Sequence, residues 1–292
     1  MNNKQDSFSE NKRIAKNTLF LYFRTILIML VTLYTSRVVL NTLGIEDFGV
    51  YNAVGGVVSM FAVITGALTN AISRYITYEI GKGDINKLKQ VFSTSVNIQI
   101  AISVIIFILC ELAGLWFLNS KMNIPSDRIL AANWVLHCSL LTFVVNLISV
   151  PYNACIIAHE RMNAYAYISI IDAILKLSVA YLLIISPVDK LIAYSVLLLV
   201  AALGVRLLYG FYCSRNFQEC KYKFKYDKQL FKEMLGFAGW NFFGNATSIL
   251  NSQGVNLLIN IFFGVIANSA RGIASQVDAA VNQFVVTFST AV

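Results

Sequence analysis

The sequence predicts an all-α polytopic membrane protein with about eight transmembrane helices, arranged as a six-helix bundle plus the first two helices of a second bundle. Hydrophobic residues make up 57% of the 292 residues and charged residues only 13%, whereas soluble proteins carry about 25% charged residues. The apolar runs exceed about 20 residues, far longer than the roughly 9–11 residues of a barrel strand. Since lipid tolerates only helices and closed barrels, these runs predict helices. The same composition excludes a soluble globular domain, a disordered chain and a disulfide scaffold.

The spans are assigned from the apolar runs and from the polar segments that separate them. The first run is too long for a signal peptide and lacks a small-residue cleavage site, so we expect it to remain as a span. A loop is expected from Pro151 to Arg161, and a tight turn from Pro187 to Lys190. The predicted spans cover about 17–40, 48–72, 94–118, 129–150, 164–186, 191–213, a stretch within 234–263 and a stretch from 272 onward.

Four segments are expected along the chain. Residues 1–16 form a cytoplasmic N-terminal segment, 17–213 the first six-helix bundle, 214–233 a basic cytoplasmic loop, and 234–292 the first two helices of a second, incomplete bundle. With the N-terminus inside, 15 Lys and Arg residues fall in inside segments and 5 in outside segments. Because loops rich in Lys and Arg stay on the cytoplasmic side, this bias predicts a cytoplasmic N-terminus.

A weak internal repeat accompanies this division. The run Val39-Leu40-Asn41 ahead of Gly44 and Gly49 is similar to Leu258-Ile259-Asn260 ahead of Gly264 and Gly272, about 220 residues later. Repeats of this kind are typical of transporters. A chance likeness between two glycine-bearing loops is the alternative.

Polar side chains recur at steps of three, four or seven residues along three of the predicted spans, which keeps each set on one helical face. Such a face must contact protein or water rather than lipid. The polar face can form hydrogen bonds with a neighbouring helix, or it can line a hydrated cavity. The number of polar positions favours the cavity. The three sets are Thr18, Tyr22, Thr25, Thr32 and Ser36; Asn241, Asn245, Ser248, Ser252, Asn256 and Asn260; and Ser275, Asp278, Asn282 and Ser289.

Charged residues inside spans are costly at membrane depth and therefore indicate function. Asp172 and Lys176 are one helical turn apart, which fits either a structural ion pair or a cavity site. Arg24 and Arg206 lie within their spans near the predicted cytoplasmic side. Either arginine could extend to the interface, but a guanidinium also binds phosphate in a bidentate manner.

Motifs of soluble enzymes are incomplete in this sequence, so no enzymatic activity and no cofactor are expected. The run from His159 to Asn163 begins like the zinc motif H-E-x-x-H but has Asn in place of the second His. The phosphate-binding motif G-x-x-x-x-G-K-[ST] does not occur. The five cysteines form no C-x-x-C and no zinc-like spacing, so they are interpreted as apolar residues and no metal site is predicted. Nucleic acid is not expected as a partner of so apolar a chain.

Three stretches of the chain resemble membrane proteins of polysaccharide biosynthesis of the O-antigen flippase type. These proteins belong to the multidrug/oligosaccharidyl-lipid/polysaccharide exporter superfamily. The resemblance covers the first half of the chain, and residues 236–284 are similar to the start of the second half. The stretches are Arg13 to Thr18 with Ser36 to Tyr51; Ala71 to Tyr75 with Gly81 to Asp84; and Pro151 to Ala154 with His159 to Met162.

The resemblance implies two six-helix bundles around a central cavity, and the flipping of undecaprenyl-diphosphate-linked oligosaccharide across the bacterial inner membrane by alternating access. Arg24 and Lys176 are then candidates for the diphosphate, and the Asn face of the seventh span for sugar. Membrane lipids, a glycan polymerase and other assembly proteins are the further partners implied. The full set of substrate-binding candidates is Arg24, Thr25, Asp172, Lys176, Arg206, Asn241, Asn245, Ser252 and Asn256.

Two other functions fit the same sequence. One is an ion-coupled multidrug exporter of the same fold. The other is a truncated membrane protein that transports nothing, such as a scaffold in a glycan-assembly complex. No loop is long or acidic enough for the metal–nucleotide site of a membrane glycosyltransferase.

Overall fold

The computed structural model describes residues 2–59, 61–222 and 227–291. Side chains are described throughout these ranges except at 2–21, 62–64, 67, 70, 241–253, 280 and 283–291. Every long element in the described part is an α-helix, as the sequence predicts. The helices are α1 (Asn2–Ser59), α2 (Ala62–Lys82), α3 (Ile85–Ser120), α4 (Ile129–Ala158), α5 (Met162–Ile184), α6 (Lys190–Asn216) and α7 (Lys228–Ala291).

Helix α3 shows the inverted polarity of a protein whose outer solvent is lipid. It buries polar residues such as Ser95, Gln99 and Ser103, while Val104 and Leu112 are more than half exposed. Six segments of the described residues are long and apolar enough to cross a membrane, so the chain is a multi-pass membrane protein. They are Tyr22–Ser59, Ile85–Ser120, Ser126–Ala158, Met162–Ile184, Lys190–Asn216 and Gly254–Ala279.

Two of these segments are kinked at a glycine where the sequence predicts a loop. Gly44 in α1 has φ 83° and ψ 171°, and Gly264 in α7 has φ 77° and ψ −173°. A residue with a side chain rarely adopts this conformation, so glycine turns the chain without ending the helix. The predicted loops at these places therefore reduce to single residues.

Two other predicted boundaries also differ from the structure. The span expected at 48–72 is divided, because α1 ends at Ser59 and α2 runs from Ala62 to Lys82. The loop expected from Pro151 is helical, since α4 continues through that proline to Ala158. A proline in a membrane helix is tolerated where neighbouring groups satisfy the backbone it frees. Residues 223–226 of the predicted basic loop lie outside the described residues.

The short connections between helices follow ordinary capping chemistry. Gly83 ends α2 with φ 72°, and its N–H donates to the carbonyls of Glu79 and Ile80. Asp84 begins α3 by accepting hydrogen bonds from two backbone N–H groups. Asp189 begins α6 in the same way, which confirms the tight turn predicted before Lys190. These caps satisfy backbone groups that a helix end otherwise leaves unpaired.

The helices pack most extensively in four groups: α1 with α7 and α5, α4 with α6 and α3, α2 with α7 and α4, and α5 with α6. The closest approach between α1 and α7 is made by small residues. A Cβ added to Gly49 would lie 2.8 Å from Ser269 Oγ, and one added to Gly272 would lie 2.6 Å from Asn52 Cγ. Such small residues let helix backbones approach within a membrane.

Loops that the sequence assigns to the same side of the membrane contact one another. Arg128 forms ion pairs with Asp47 at 3.1 Å and with Asp189 at 2.7 Å, and these three residues come from three predicted outside loops. Near the other ends of the helices, Gln90 donates to Asp227 at 2.7 Å. When successive helices cross a membrane, every second connection lies on the same side. The contacts of Arg128 and Gln90 fit this arrangement.

Candidate functional site

A cavity of about 710 Å³ lies among the membrane-spanning helices. Its lining comes from α1, α2, α4, α5 and α6, and Gln276 closes part of it from α7. Ligand-binding cavities commonly measure about 300–1,000 Å³, so this space can hold the head of a large lipid or a drug-sized molecule.

Three charged side chains are among the described residues that line the cavity: Arg24, Asp172 and Lys176. The Arg24 guanidinium lies 4.4 Å from the centre of the Tyr165 ring, which holds it by a cation–π contact between α1 and α5. Lys176 Nζ donates to Asp172 Oδ2 at 2.8 Å. These charges leave the cavity with one net positive charge when all three are ionised.

The rest of the lining is rich in hydroxyl and amide groups. Four tyrosines add flat rings with a polar edge, which suit a ligand that carries many hydroxyl groups. The uncharged polar lining residues are Thr32, Thr35, Ser36, Tyr51, Thr65, Thr69, Thr142, Asn146, Ser149, Asn153, Tyr165, Ser169, Tyr194, Tyr209 and Gln276.

Four of the lining residues contain a buried polar atom that has no hydrogen-bond partner within the described part of the chain. These atoms are Arg24 Nε, Thr35 Oγ1, Asn153 Oδ1 and Gln276 Oε1. An unpaired polar atom in a low-dielectric interior costs roughly 1–3 kcal/mol. Water or ligand groups in the cavity can supply the missing partners, so the site is suited to a polar occupant.

The nine residues predicted from the sequence divide into three groups. Arg24, Asp172 and Lys176 line the cavity together, whereas Thr25, Arg206 and Asn256 are not among its lining residues. Thr25 is only 2% exposed. The Arg206 guanidinium lies 3.9 Å from the centre of the Tyr152 ring. This cation–π contact gives the second intramembrane arginine a partner within the protein. The side chains of Asn241, Asn245 and Ser252 lie outside the described residues, as do those of Thr18, Ser248 and Ser289 from the predicted polar faces.

The described end of the polar face on the seventh span meets protein rather than the cavity. Asn260 is fully buried, and its Oδ1 accepts a hydrogen bond from the backbone N–H of Asn123 at 3.2 Å. This contact joins α7 to the connection between α3 and α4. Asn260 therefore forms a hydrogen bond within the helical bundle and does not line the cavity. Of the two explanations for this polar face, bonding within the protein applies at Asn260.

Helix α4 carries a polar face in the cavity that the sequence analysis missed. Thr142, Asn146, Ser149 and Asn153 follow one another at intervals of four, three and four residues, and all line the cavity. The same spacing identifies the polar faces of the first and seventh spans. The sequence analysis did not identify the face on α4, because the predicted span ends at residue 150, before Asn153.

A contact between a carboxylate and a histidine lies away from this cavity. Glu111 of α3 contacts His137 of α4, and both side chains are about a third exposed. Neither residue lines the cavity formed by α1, α2, α4, α5 and α6. We assign this pair to the α3–α4 contact.

The sequence model of the family described as polysaccharide biosynthesis protein matches residues 14–292. An uncharacterized membrane protein of Bacillus subtilis (strain 168), EpsK, is 22% identical over 242 residues, which cover 81% of this chain and 45% of the relative. The chain thus spans about half the length of this curated relative.

Solved structures with the same fold are transporters of the MATE group and the MOP superfamily. The MATE multidrug transporter DinF-BH matches 96% of this chain and 63% of its own, with a TM-score of 0.81 and 16% identity. A MOP superfamily transporter from Pyrococcus furiosus, whose binding pocket is described as having reverse polarity, matches 95% of this chain and 68% of its own, with a TM-score of 0.66 and 14% identity. At such low identity the likeness shows the fold alone. Because the family model matches almost the whole sequence, the chain belongs to the polysaccharide biosynthesis protein family.

Proposed function

We propose that this chain acts as a flippase for undecaprenyl-diphosphate-linked oligosaccharide, moving an O-antigen, capsule or exopolysaccharide repeat unit across the bacterial inner membrane by alternating access. The observation that carries the proposal is the combination of Arg24 and Lys176 in one hydroxyl-rich cavity between membrane helices. The membership of a polysaccharide biosynthesis family supports the same substrate class.

The two cations suit the diphosphate. A guanidinium presents a fork of N–H groups to phosphate oxygens, and the low dielectric of the bundle strengthens the contact. Tyr165 holds Arg24 in place before the substrate arrives. Lys176 is paired with Asp172 in the structure, so a diphosphate has to compete with that carboxylate for the ammonium group.

The remaining lining suits the glycan. Threonine, serine and asparagine side chains donate and accept hydrogen bonds with sugar hydroxyls, and tyrosine rings pack against the apolar faces of sugar rings. The unpaired atoms of Thr35, Asn153 and Gln276 add unused hydrogen-bonding capacity from α1, α4 and α7. A lining of this kind tolerates different sugars, because it contains many interchangeable hydrogen-bonding groups.

We further propose that residues 17–213 form a first bundle and residues 234–292 the first two helices of a second. The kinks at Gly44 and Gly264, 220 positions apart, support a repeat, as does the contact of Gly49 with Ser269, which are separated by the same interval. The N-terminus is placed in the cytoplasm on the distribution of Lys and Arg alone. We also propose a glycan polymerase and other assembly proteins as partners of the chain.

Complementation of a bacterium that lacks its own flippase tests this function. We expect the chain to restore surface glycan, and Arg24→Ala and Lys176→Ala each to reduce the restored glycan at equal membrane abundance. Arg37→Ala serves as the matched control, because Arg37 is an exposed arginine on the same helix that does not line the cavity. Failure of the unmodified chain despite good membrane expression would count against the flippase, and would favour the non-transporting protein.

A multidrug exporter is the second candidate, because a MATE multidrug transporter shares the fold. The net positive charge of the cavity disfavours an organic cation, since two cations oppose one carboxylate there. Uptake of organic cations into everted membrane vesicles separates the two functions. Accumulation driven by an ion gradient would favour the exporter, whereas its absence together with restored glycan would favour the flippase.

A further inference from the structure

Three of the five cysteines come together where α4 and α6 end, and Cys155 is far from the other two in the sequence. Cys155 lies in the last turn of α4, Cys213 in the last turn of α6, and Cys220 in the connection that follows α6. All three are buried, with Cys155 and Cys213 fully inaccessible. The sequence offered no zinc-like spacing, so only the tertiary fold produces this cluster.

A buried carboxylate completes the group. The ligand atoms of Cys155, Cys220 and Glu219 all lie within 4.8 Å of one another, and Glu219 is 4% exposed. His159 forms a hydrogen bond with Glu219 and stacks on Phe217 at 4.3 Å between ring centres. A histidine that orients a carboxylate in this way resembles the outer shell that holds metal ligands in place.

We propose that Cys155, Cys220 and Glu219 bind a zinc ion, and that the Cys213 thiol, which donates to the Tyr152 carbonyl in this structure, turns to become the fourth ligand. Zinc is bound tetrahedrally by thiolates and carboxylates at about 2.0–2.3 Å. Such a tetrahedron separates its ligand atoms by less than about 4 Å, so Cys155, Cys220 and Glu219 need only a small contraction around the ion. Thiolate-rich sites favour zinc over magnesium or calcium.

The electrostatics of the position also suit a cation. The C-terminal ends of α4 and α6 both meet the cluster, and each helix end carries partial negative charge.

The thiolate is the form of cysteine that binds zinc, so metal binding releases the thiol protons. Bound zinc would fasten the connection after α6 to the end of α4, at the side of the bundle that the sequence assigns to the cytoplasm. This role is separate from substrate binding, since none of these residues lines the cavity.

Metal content of the full chain, purified in detergent without chelators, tests the site. We expect about one zinc per chain, lost in Cys155→Ala and Cys220→Ala and bound at least tenfold more weakly in Glu219→Gln. Cys110→Ala and Cys138→Ala are matched controls, because both are buried cysteines on α3 and α4 outside the cluster. Zinc retained by the cluster variants, or lost equally by the controls, would overturn the proposal.

A second measurement keeps the test independent of whether the variants fold. The unmodified protein is treated with a thiol-alkylating reagent in the presence of zinc or of a chelator, at a temperature just below its unfolding midpoint so that the buried thiols become accessible. The alkylated cysteines are then identified by mass spectrometry. We expect zinc to protect Cys155, Cys213 and Cys220 and to leave the alkylation of Cys110 and Cys138 unchanged. No difference between zinc and chelator would contradict the site, as would a disulfide between Cys155 and Cys220.

Discussion

Gly272 of α7 packs against Asn52 of α1, so closely that a Cβ on Gly272 would lie 2.6 Å from Asn52 Cγ. Three residues earlier on each helix, Gly49 meets Ser269, whose hydroxyl donates to the carbonyl of Ile45. The pairs 49 with 269 and 52 with 272 are each separated by 220 positions. Positions 220 residues apart on the two kinked helices therefore face each other, which is the arrangement that the proposed repeat predicts.

The crossing at Gly49 gives the first prediction. Gly49→Ala should destabilise the protein by about 1–3 kcal/mol, because the new methyl group meets the backbone of Val265 and cannot be accommodated. Gly55→Ala is the control on the same helix, since nothing lies within 4 Å of its Cβ position. Thermal unfolding in detergent measures both variants. A Gly49→Ala protein as stable as the Gly55→Ala protein would contradict the close crossing.

The two kinks give the second prediction. Gly44→Ala and Gly264→Ala should each cost about 1–3 kcal/mol, because alanine is strained at φ near 80° with an extended ψ. Space does not limit Gly44, which has nothing within 4 Å of its Cβ position, so the cost there is conformational. The helical Gly66→Ala should instead be neutral or stabilising. Unfolding midpoints that do not distinguish the three variants would mean that the kinks are absent.

The ion pairs of Arg128 give the third prediction. Arg128→Ala removes the partner of Asp47, whose side chain is only 7% exposed, and also frees Asp189. We expect a loss of roughly 1–3 kcal/mol, at the lower end because Arg128 itself is a third exposed and water screens it. Arg128→Lys should recover part of the stability, since the charge remains but the fork of donors is lost. Equal stability of Arg128→Ala and the surface variant Lys121→Ala would show that the ion pairs contribute nothing.

How much of the fold the sequence reveals depends on the kind of signal. Long apolar runs identify the helices because lipid allows few alternatives, and α5 and α6 fall close to their predicted positions. Helix α3 ends near its predicted position but begins at Ile85, well before the apolar run that predicts it. The kinks are predicted as loops because a glycine in sequence does not show whether one residue or several leave the helix. Pro151 is interpreted as a helix end, yet α4 continues through it, because packing in the bundle determines that outcome.

The cavity is predictable only in part, for a similar reason. Intramembrane charge identifies Arg24, Asp172 and Lys176, and the structure brings all three to one cavity. The same signal selects Arg206, whose guanidinium instead lies on the Tyr152 ring. Which arginine faces a cavity is decided by how helices rotate against their neighbours, and the spacing along one helix does not contain that information.

The fourth prediction concerns the pair formed by Asp172 and Lys176. Asp172→Asn should strengthen binding of an undecaprenyl-diphosphate lipid by about threefold to tenfold, because Lys176 loses its competing carboxylate. Lys176→Ala should weaken binding by a similar factor. Lys232→Ala, which removes an exposed lysine outside the cavity, is the control. If the pair were purely structural, as its one-turn spacing also permits, Asp172→Asn and Lys176→Ala would shift the affinity in the same direction or leave it unchanged.

The central claim is that Arg24 recognises a diphosphate within the membrane, and lipid binding by the purified chain tests it most directly. The measurement compares undecaprenyl diphosphate with uncharged undecaprenol in the unmodified protein, in Arg24→Ala and in Arg37→Ala. We predict that the unmodified and Arg37→Ala proteins bind the diphosphate at least about tenfold more tightly than undecaprenol, since a charge-assisted contact contributes roughly 1.5–3 kcal/mol. Arg24→Ala should lose most of that preference. Equal binding of the two lipids by the unmodified protein, or an undiminished preference in Arg24→Ala, would contradict the account.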